Sequence, residues 1–194
     1  AVFDRVAGGR KPPEHRVREL WCIIGRRSGK SRIAAALASY LAAFADHRPK
    51  LAPGEAGVLL VLAASKQQAN SVFAYIEAFF RASPILAPLI VNTTTDEIRL
   101  VGNIIIAVHS NSYRTVRGRT LIAAIFDEAA FWRDDTSSMP DVETYRAVLP
   151  ALATTGGMLI GISSPYAQRG LLFTKHASDF GKDNAEVLVV QAAT

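Results

Sequence analysis

The chain contains a single cysteine and no long apolar run. Because Cys22 is the only thiol among 194 residues, no disulfide can form within the chain. No apolar stretch approaches the roughly 20 residues of a membrane-spanning helix, and the first residues lack the basic and apolar order of a signal peptide. These absences argue against a disulfide scaffold and a membrane protein, and we expect a cytoplasmic protein with no membrane partner.

The chain also lacks a histidine cluster, an internal repeat and a low-complexity tract. Its four histidines are scattered without the spacing of zinc ligands, so no zinc site is predicted. With 49% hydrophobic and 20% charged residues, the composition is that of an ordinary globular domain with one core. The formal net charge of +5 is compatible with contact to nucleic acid, but it is also common in proteins that bind none.

Apolar, strand-like runs alternate with helical runs along most of the chain. Strands are predicted at residues 20–24, 57–63, 121–127, 158–163 and 186–191. Helices are predicted at residues 30–44, 66–81, 140–152 and 170–180. Residues 97–101 and 103–109 flank a Val-Gly-Asn turn and indicate an antiparallel hairpin. The pattern predicts an α/β fold, with a mostly parallel central sheet, helices on both faces and the hairpin at one edge.

A phosphate-binding loop is predicted between the first strand and an alanine-rich helix. The segment reads Ile24-Gly25-Arg26-Arg27-Ser28-Gly29-Lys30-Ser31. In such a loop, backbone N–H groups at a helix N-terminus surround phosphate oxygens, the lysine reaches the outer phosphates and the serine hydroxyl ligates Mg²⁺. The usual pattern has its first glycine where Ile24 stands, and here Gly25 comes one residue late. The flanking strand and helix favour nucleotide binding over an accidental turn, and we assign that role to Gly25, Arg26, Arg27, Ser28, Gly29, Lys30 and Ser31.

A second motif is the apolar run 121–126 followed by two adjacent acids, Asp127 and Glu128. An acid at the end of such a strand emerges beside the phosphate loop, where Asp127 can hold Mg²⁺ directly or through water. Glu128 would then orient and deprotonate the attacking water. The alternative is that both acids cap the following helix, but their order and separation relative to Lys30 and Ser31 favour the catalytic interpretation.

A third apolar strand ends in Ser163-Ser164-Pro165. In a nucleotide hydrolase this strand neighbours the strand with the two acids. Ser164 could donate a hydrogen bond toward the γ-phosphate or the attacking water, or it could form a local serine turn before the proline. The sequence leaves both alternatives open.

Arginines are the candidates for stabilising charge on the γ-phosphate, an effect on the order of 10³ to 10⁵ in rate in arginine-finger enzymes. Arg26 and Arg27 lie in the phosphate loop and could act in cis. Arg114, Arg117 and Arg119 precede the acidic strand and would more naturally face a neighbouring subunit. A solvated basic loop or a contact to DNA phosphates is the alternative for this second group.

Taken together, the motifs resemble the ATPase domain of large terminase subunits from tailed phages and prophages. They are Gly-Arg-Arg-Ser-Gly-Lys-Ser, Val-Arg-Gly-Arg-Thr before Phe-Asp-Glu-Ala-Ala, and Ile-Ser-Ser-Pro. The resemblance implies a P-loop NTPase fold of the RecA/ASCE type, with ATP and Mg²⁺ as cofactors. It also implies the following roles: Lys30 and Ser31 as the Walker A pair, Arg26 as a cis-acting arginine, Asp127 and Glu128 as the Walker B acid and catalytic glutamate, Ser164 in the coupling motif, and Arg117 as a trans-acting finger.

The same resemblance implies a motor that drives double-stranded DNA into an empty capsid. Its partners would be the portal and the small terminase subunit, and the motor would assemble as a homo-oligomeric ring from chains that can be monomers in isolation. Large terminases also carry a C-terminal nuclease domain, and nothing after the last predicted strand could house its acids. We expect residues 1–194 to form a single ATPase domain without nuclease activity. The upstream adenine-contacting element has only Arg10, Lys11 and Glu14 as candidates.

Two other functions share these motifs. A helicase-like or other nucleic-acid-remodelling ATPase has both Walker motifs, but it usually needs a second motor domain. A nucleotide-binding assembly switch with no turnover in isolation would also keep the phosphate loop. Glu128→Gln separates the switch from an enzyme, because loss of the catalytic glutamate should abolish turnover while sparing nucleotide binding.

Overall fold

The computed structural model describes residues 2–110, 116, 118–132 and 139–192. In this part of the chain eight strands form one sheet. The strands are β1 (Glu19–Ile24), β2 (Gly57–Ala63), β3 (Ile90–Thr93), β4 (Glu97–Leu100), β5 (Ile104–Ser110), β6 (Thr120–Asp127), β7 (Met158–Ser163) and β8 (Val187–Ala192). Their order across the sheet is β3-β4-β5-β2-β6-β7-β1-β8.

Six neighbouring strands, from β5 to β8 in that order, run parallel to one another. β4 is antiparallel to both β3 and β5 and closes this side of the sheet with β3 outermost. The strand β7 lies between β1 and β6, although it follows both of them in the chain. This order brings the ends of three motif-bearing strands side by side.

Helices cover both faces of the sheet. They are α1 (Val2–Val6), α2 (Lys30–Phe44), α3 (Lys66–Ala82), α4 (Pro140–Ala153) and α5 (Gly170–Asp179). α2 and α3 contribute to the core on one face, and α4 and α5 contribute to the core on the other. Covered from both sides, the central strands are continuously apolar, and all seven residues of β2 are buried. Within the described ranges, no helix combines the length and apolar character needed to cross a bilayer.

A glycine lets the three strands that carry the motifs pack tightly. Gly161 of β7 is paired with Trp21 of β1, and a Cβ at position 161 would overlap the indole ring. Trp21 is therefore fully buried, and its ring meets the edge of Phe126 on β6 at a centroid distance of 6.5 Å. Burial of such large aromatic side chains stabilises the part of the sheet from which the candidate site projects.

The α/β fold predicted from the sequence is confirmed, with each predicted element within one residue of its observed bounds. The hairpin lies at the predicted side of the sheet, although β5 itself is an interior strand parallel to β2. Two elements were not predicted, the edge strand β3 and the single-turn helix α1. Both are short, and β3 has no buried residue to impose an apolar pattern.

Candidate active site

The candidate site lies at the carboxyl edge of the sheet, where β1, β7 and β6 end next to one another. The phosphate loop follows β1, Ser164 follows β7, and Asp127 is the last residue of β6. The register pairs Ile23 with Ser163 and Asp127 with Ile162. Parallel strands in this order therefore bring together residues that are up to 140 positions apart in the chain.

The phosphate loop enters α2 without a side-chain cap. Gly29 occupies the N-cap position with φ 79° and ψ 19°, a left-handed conformation that favours glycine, and among the described residues no side chain caps the helix. Arg27 is also left-handed, with φ 58°. Turns of this kind point successive N–H groups toward one point and form an anion-binding concavity.

Gly25, which stands one residue after the usual glycine position, accepts hydrogen bonds within the loop through its carbonyl oxygen. Gly25 O accepts hydrogen bonds from Ser28 Oγ and from Lys30 Nζ, both at 2.8 Å. The Gly25 N–H donates to Ala192 O at 3.3 Å, which ties the loop to the end of β8. The loop is thus closed by its own polar groups, in spite of Ile24 at the usual position of the first glycine.

Lys30 links the loop to the acidic strand end. Its side chain is 7% exposed, and Nζ lies 3.3 Å from Glu128 Oε1. The ammonium group therefore contacts both the loop carbonyl and the carboxylate of the predicted general base. A phosphate that recruits Lys30 has to replace these contacts.

Asp127 is fully buried at the end of β6. Its Oδ2 accepts a hydrogen bond from Ser31 Oγ at 3.3 Å, while its Oδ1 has no hydrogen-bond partner among the described residues. Burial, followed by the charge of Glu128, raises the pKa of Asp127 to about 6, against the opposing effects of Ser31 and Lys30. An orphaned carboxylate oxygen beside a hydroxyl is a donor set that suits Mg²⁺, which takes few protein ligands and completes its shell with water and phosphate.

Glu128 has a left-handed backbone, with φ 54° and ψ 42°. Its N–H donates to Ile162 O at 2.7 Å, and its Oε2 accepts hydrogen bonds from Ser163 Oγ at 3.1 Å and from Ser164 N at 2.9 Å. The carboxylate does not cap the short 3₁₀ turn that follows at Ala129–Phe131. The two acids thus face the loop and the end of β7 and do not act as helix caps.

The hydroxyl of Ser164 is buried but unpaired. The residue is 2% exposed, and its Oγ has no hydrogen-bond partner in the described part of the chain. A serine turn would have engaged this hydroxyl locally. A buried hydroxyl without a partner, next to the phosphate loop, is instead available to a ligand.

Of the candidate arginines, the structure describes Arg26, Arg27 and Arg119. Arg26 and Arg27 are exposed on the loop. Arg119 lies toward the hairpin, with Nη1 3.5 Å from Glu97 Oε1. Arg114 and Arg117 lie outside the described residues.

Two of the candidate adenine contacts, Arg10 and Lys11, lie near the start of β8, at the end of the sheet opposite to the phosphate loop. Arg10 is buried, and its guanidinium donates to Val187 O at 2.8 Å and to Asn184 O at 3.0 Å, at the start of β8. The backbone N–H of Lys11 donates to Asp183 Oδ1 at 3.1 Å in the same region. The phosphate loop follows the far end of β1, about 20 Å away for a six-residue strand. These residues therefore stabilise the fold at a distance from the loop.

Two residues of the site were missed by the sequence analysis. Ser163 bonds to Glu128, as described above, and Trp132 Nε1 donates to Asp127 O at 3.0 Å while its ring packs 4.7 Å from that of Phe126. Ser163 adjoins the predicted Ser164 and could have been selected as its neighbour. The contact of Trp132 depends on the turn after Glu128, and no sequence signal indicates it.

Replacing Asp127 by asparagine is expected to stabilise the ligand-free protein at pH 8. Because the folded pKa of about 6 exceeds the ordinary 3.8, the folded protein holds this proton more tightly than the unfolded chain. The free energy of unfolding therefore falls as the pH rises from 3.8 to 6. Above pH 6 it stays lower by about 3 kcal/mol for a pKa shift of this size.

Urea unfolding of Asp127→Asn and wild type at pH 8 and pH 4 checks this expectation. The free energy of unfolding of Asp127→Asn should exceed that of wild type at pH 8 and differ little from it at pH 4. Asp4→Asn, on the exposed face of α1, controls for removal of a charge. A variant no more stable than wild type at pH 8 would contradict the assignment of a buried, destabilised carboxylate.

Comparison with known proteins agrees with this geometry. Residues 1–163 match the family described as the terminase large subunit, ATPase domain. No curated protein sequence matches the chain significantly.

Solved structures of large terminases share the fold. The ATPase domain of the Thermus phage P74-26 large terminase has a TM-score of 0.62 and 17% identity, over 99% of this chain and 84% of that one. A variant of the same domain gives a TM-score of 0.64 and 16% identity, over 98% and 84% of the two chains. The HK97 bacteriophage large terminase has a TM-score of 0.66 and 20% identity, over 89% of this chain and 35% of that one, so this chain spans about a third of the HK97 protein. At these identities, the similarity to the solved structures shows a shared fold and no more. The family match, by contrast, extends over most of the chain. The chain belongs to the family of terminase large-subunit ATPase domains.

Proposed function

We propose that this chain hydrolyses ATP to drive double-stranded viral DNA into a procapsid. The observation that carries the proposal is the junction of phosphate loop and acidic strand, where Lys30 Nζ lies 3.3 Å from Glu128 Oε1 and Ser31 Oγ lies 3.3 Å from Asp127 Oδ2. A cation, two acids and a hydroxyl at a helix N-terminus are the groups that phosphoryl transfer to water requires.

ATP binding begins with an exchange of partners at Lys30. The β- and γ-phosphates accept hydrogen bonds from the uncapped N–H groups of α2, and Lys30 leaves Gly25 O and Glu128 for the phosphate oxygens. The exchange replaces one anionic partner of Lys30 by another, so the buried ammonium group remains paired. It also frees Oε1 of Glu128 for the reaction.

Ser31 and Asp127 would hold Mg²⁺ together with the phosphates. When bound, the ion neutralises charge on the β- and γ-phosphate oxygens. The unpaired Oδ1 of Asp127 supports this assignment, because a buried carboxylate oxygen without a donor is costly unless a ligand engages it. The metal would also favour the ionised form of Asp127, whose pKa burial has raised.

Hydrolysis then needs a base, and Glu128 is suited to that role. The carboxylate accepts a proton from the attacking water as the water oxygen bonds to the γ-phosphorus, while the bond from that phosphorus to the β–γ bridging oxygen breaks and ADP leaves. Ser164, with its unpaired hydroxyl, would bond to the γ-phosphate or the water and transmit the change along β7. Arg26 or Arg27 can stabilise the developing charge in cis, or Arg117 of a neighbouring subunit can do so in trans.

The proposed setting is a homo-oligomeric ring of these domains in the host cytoplasm, bound to the portal and the small terminase subunit, with chains that can be monomers in isolation. Double-stranded DNA is the proposed track, and the net charge of +5 supports contact with its phosphates. We further propose that residues 1–194 act as a single ATPase domain without nuclease activity of their own.

Stimulation by DNA tests the motor function. Phosphate release from Mg-ATP should increase when blunt double-stranded DNA is added at low salt. The added DNA should remain uncut. Stimulation by single-stranded DNA alone would favour the helicase-like alternative. The absence of any DNA effect would contradict the motor proposal, even if ATP is hydrolysed.

Replacing Arg117 by alanine tests the trans-acting finger. We expect Mg-ATP affinity to be unchanged, while the gain in turnover per chain at high protein concentration falls at least tenfold, since a finger acts only in the assembled state. Steady-state phosphate release across a range of protein concentrations measures this gain. If Arg117→Ala shows the same concentration dependence as wild type, the finger acts in cis, and Arg26→Ala and Arg27→Ala then identify it.

A further inference from the structure

We propose that Ser163 is a positioning residue that sets the orientation of Glu128. Its hydroxyl holds one carboxylate oxygen, and the other oxygen is thereby directed at the phosphate loop. This inference rests on the proposed function, because it takes Glu128 to be the base that activates water.

The two oxygens of Glu128 have separate partners. Oε2 accepts hydrogen bonds from Ser163 Oγ at 3.1 Å and Ser164 N at 2.9 Å, both at the end of β7. Oε1 lies 3.3 Å from Lys30 Nζ, on the side of the phosphate loop. When Lys30 moves to a phosphate, Oε1 loses its partner while Oε2 keeps both of its donors. The carboxylate then remains oriented, with one free oxygen directed at the site of hydrolysis.

The Ser163 hydroxyl is itself held in place. The residue is fully buried, and its Oγ accepts a hydrogen bond from Ala130 N at 3.3 Å. Its single proton has two acceptors within reach, Glu128 Oε2 and Ser164 O at 3.2 Å. A charged acceptor makes the stronger hydrogen bond, so we assign the proton to Glu128. The hydroxyl thus joins the turn after β6 to the carboxylate and fixes the distance between them.

The backbone of Glu128 shows why the side chain needs such support. A left-handed conformation with φ 54° is unfavourable for a residue with a Cβ, and it persists only where surrounding contacts hold it. The hydrogen bond from Glu128 N to Ile162 O at 2.7 Å holds the main chain, and Ser163 and Ser164 hold the side chain. All of these contacts come from the end of β7 and the residue that follows it, which makes this end of the strand the support for the catalytic carboxylate.

Ser163→Ala should lower kcat for ATP hydrolysis about tenfold, the effect of one lost charge-assisted hydrogen bond, with the Kd for Mg-ATP within about twofold of wild type. Ser163→Thr keeps the hydroxyl and should recover most of the rate. Ser39→Ala serves as the matched control, because Ser39 is also buried and its hydroxyl donates to Ala35 O within its own helix α2, at 2.9 Å. We expect this control to have wild-type kcat. A structural defect would affect Kd and would not be rescued by threonine.

Three results would overturn the positioning role of Ser163. They are an unchanged kcat in Ser163→Ala, a loss of Mg-ATP affinity as large as the loss of kcat, and a failure of Ser163→Thr to recover the rate. If the melting temperature of Ser163→Ala lies well below that of Ser39→Ala, the nearly isosteric Ser163→Cys replaces it in the kinetic comparison. The weak S–H donor of this cysteine should give an intermediate rate. Glu128→Gln separates this inference from the proposed function. Turnover by Glu128→Gln at the wild-type rate would remove Glu128 as the base, whereas an inactive Glu128→Gln beside a fully active Ser163→Ala would remove only the role of Ser163.

Discussion

Glu128→Gln is expected to lower the rate of ATP hydrolysis by about a thousandfold, because loss of a general base usually removes a factor of 10² to 10⁴. Glutamine has the shape of glutamate, and its amide oxygen can still accept the hydrogen bonds that Ser163 Oγ and Ser164 N donate to Glu128. It cannot accept a proton from water. The affinity for Mg-ATP should be unchanged or slightly higher, since Lys30 no longer has to leave an ion pair with residue 128 to reach the phosphates.

Single-turnover phosphate release measures the chemical step, and displacement of a fluorescent ATP analogue measures affinity. Glu143→Gln, an exposed carboxylate in the first turn of α4, is the matched control and should have wild-type values for both. If Glu128→Gln weakened binding in proportion to the rate, the carboxylate would act in folding or ligand binding, and its assignment as the base would be wrong.

Lys30→Ala is expected to weaken Mg-ATP binding by at least about a hundredfold. Two charge-assisted contacts to phosphate oxygens are lost, each worth about 1.5 to 3 kcal/mol, and about 1.4 kcal/mol corresponds to a factor of ten in affinity. The substitution also removes the cation that lies beside Glu128 and lowers the local positive potential near Asp127. The loss should therefore be larger for ATP than for adenosine, which carries no phosphate.

Lys182→Ala is the matched control for this experiment, because it removes an equal charge from an exposed loop before β8. Equilibrium titrations with Mg-ATP, Mg-ADP and adenosine compare the variants. Equal affinity of wild type and Lys30→Ala for ATP would contradict the phosphate-loop assignment. Unfolding by urea checks that the variant still folds.

The strands and helices were predictable from the sequence because burial on both faces imposes a simple pattern. β2 is apolar throughout, and α3 is preceded by the N-cap residue Ser65, whose hydroxyl accepts a hydrogen bond from Gln68 N. The edge strand β3 is partly exposed and has no such pattern. Its pairing with β4 depends on tertiary contacts that short-range periodicity does not encode.

The candidate site was predictable where it depends on motif chemistry. Lys30, Ser31, Asp127 and Glu128 were selected because their order and spacing match the needs of phosphate and metal binding, and the structure brings them together. The role of Ser163 could not be predicted, because it depends on the left-handed backbone of Glu128 and on the register between β6 and β7. Likewise, the distance of Arg10 from the loop follows from strand direction across the sheet and not from its position in the sequence.

The central claim is that this site hydrolyses ATP. Phosphate release from Mg-ATP by wild type and by Glu128→Gln, measured as protein concentration is raised, tests it most directly. The account predicts turnover by wild type that vanishes in the variant, with a faster than linear increase if Arg117 acts in trans and a linear increase if Arg26 or Arg27 acts in cis. Equal phosphate release by wild type and Glu128→Gln at every concentration would contradict it and would leave a domain that only binds nucleotide.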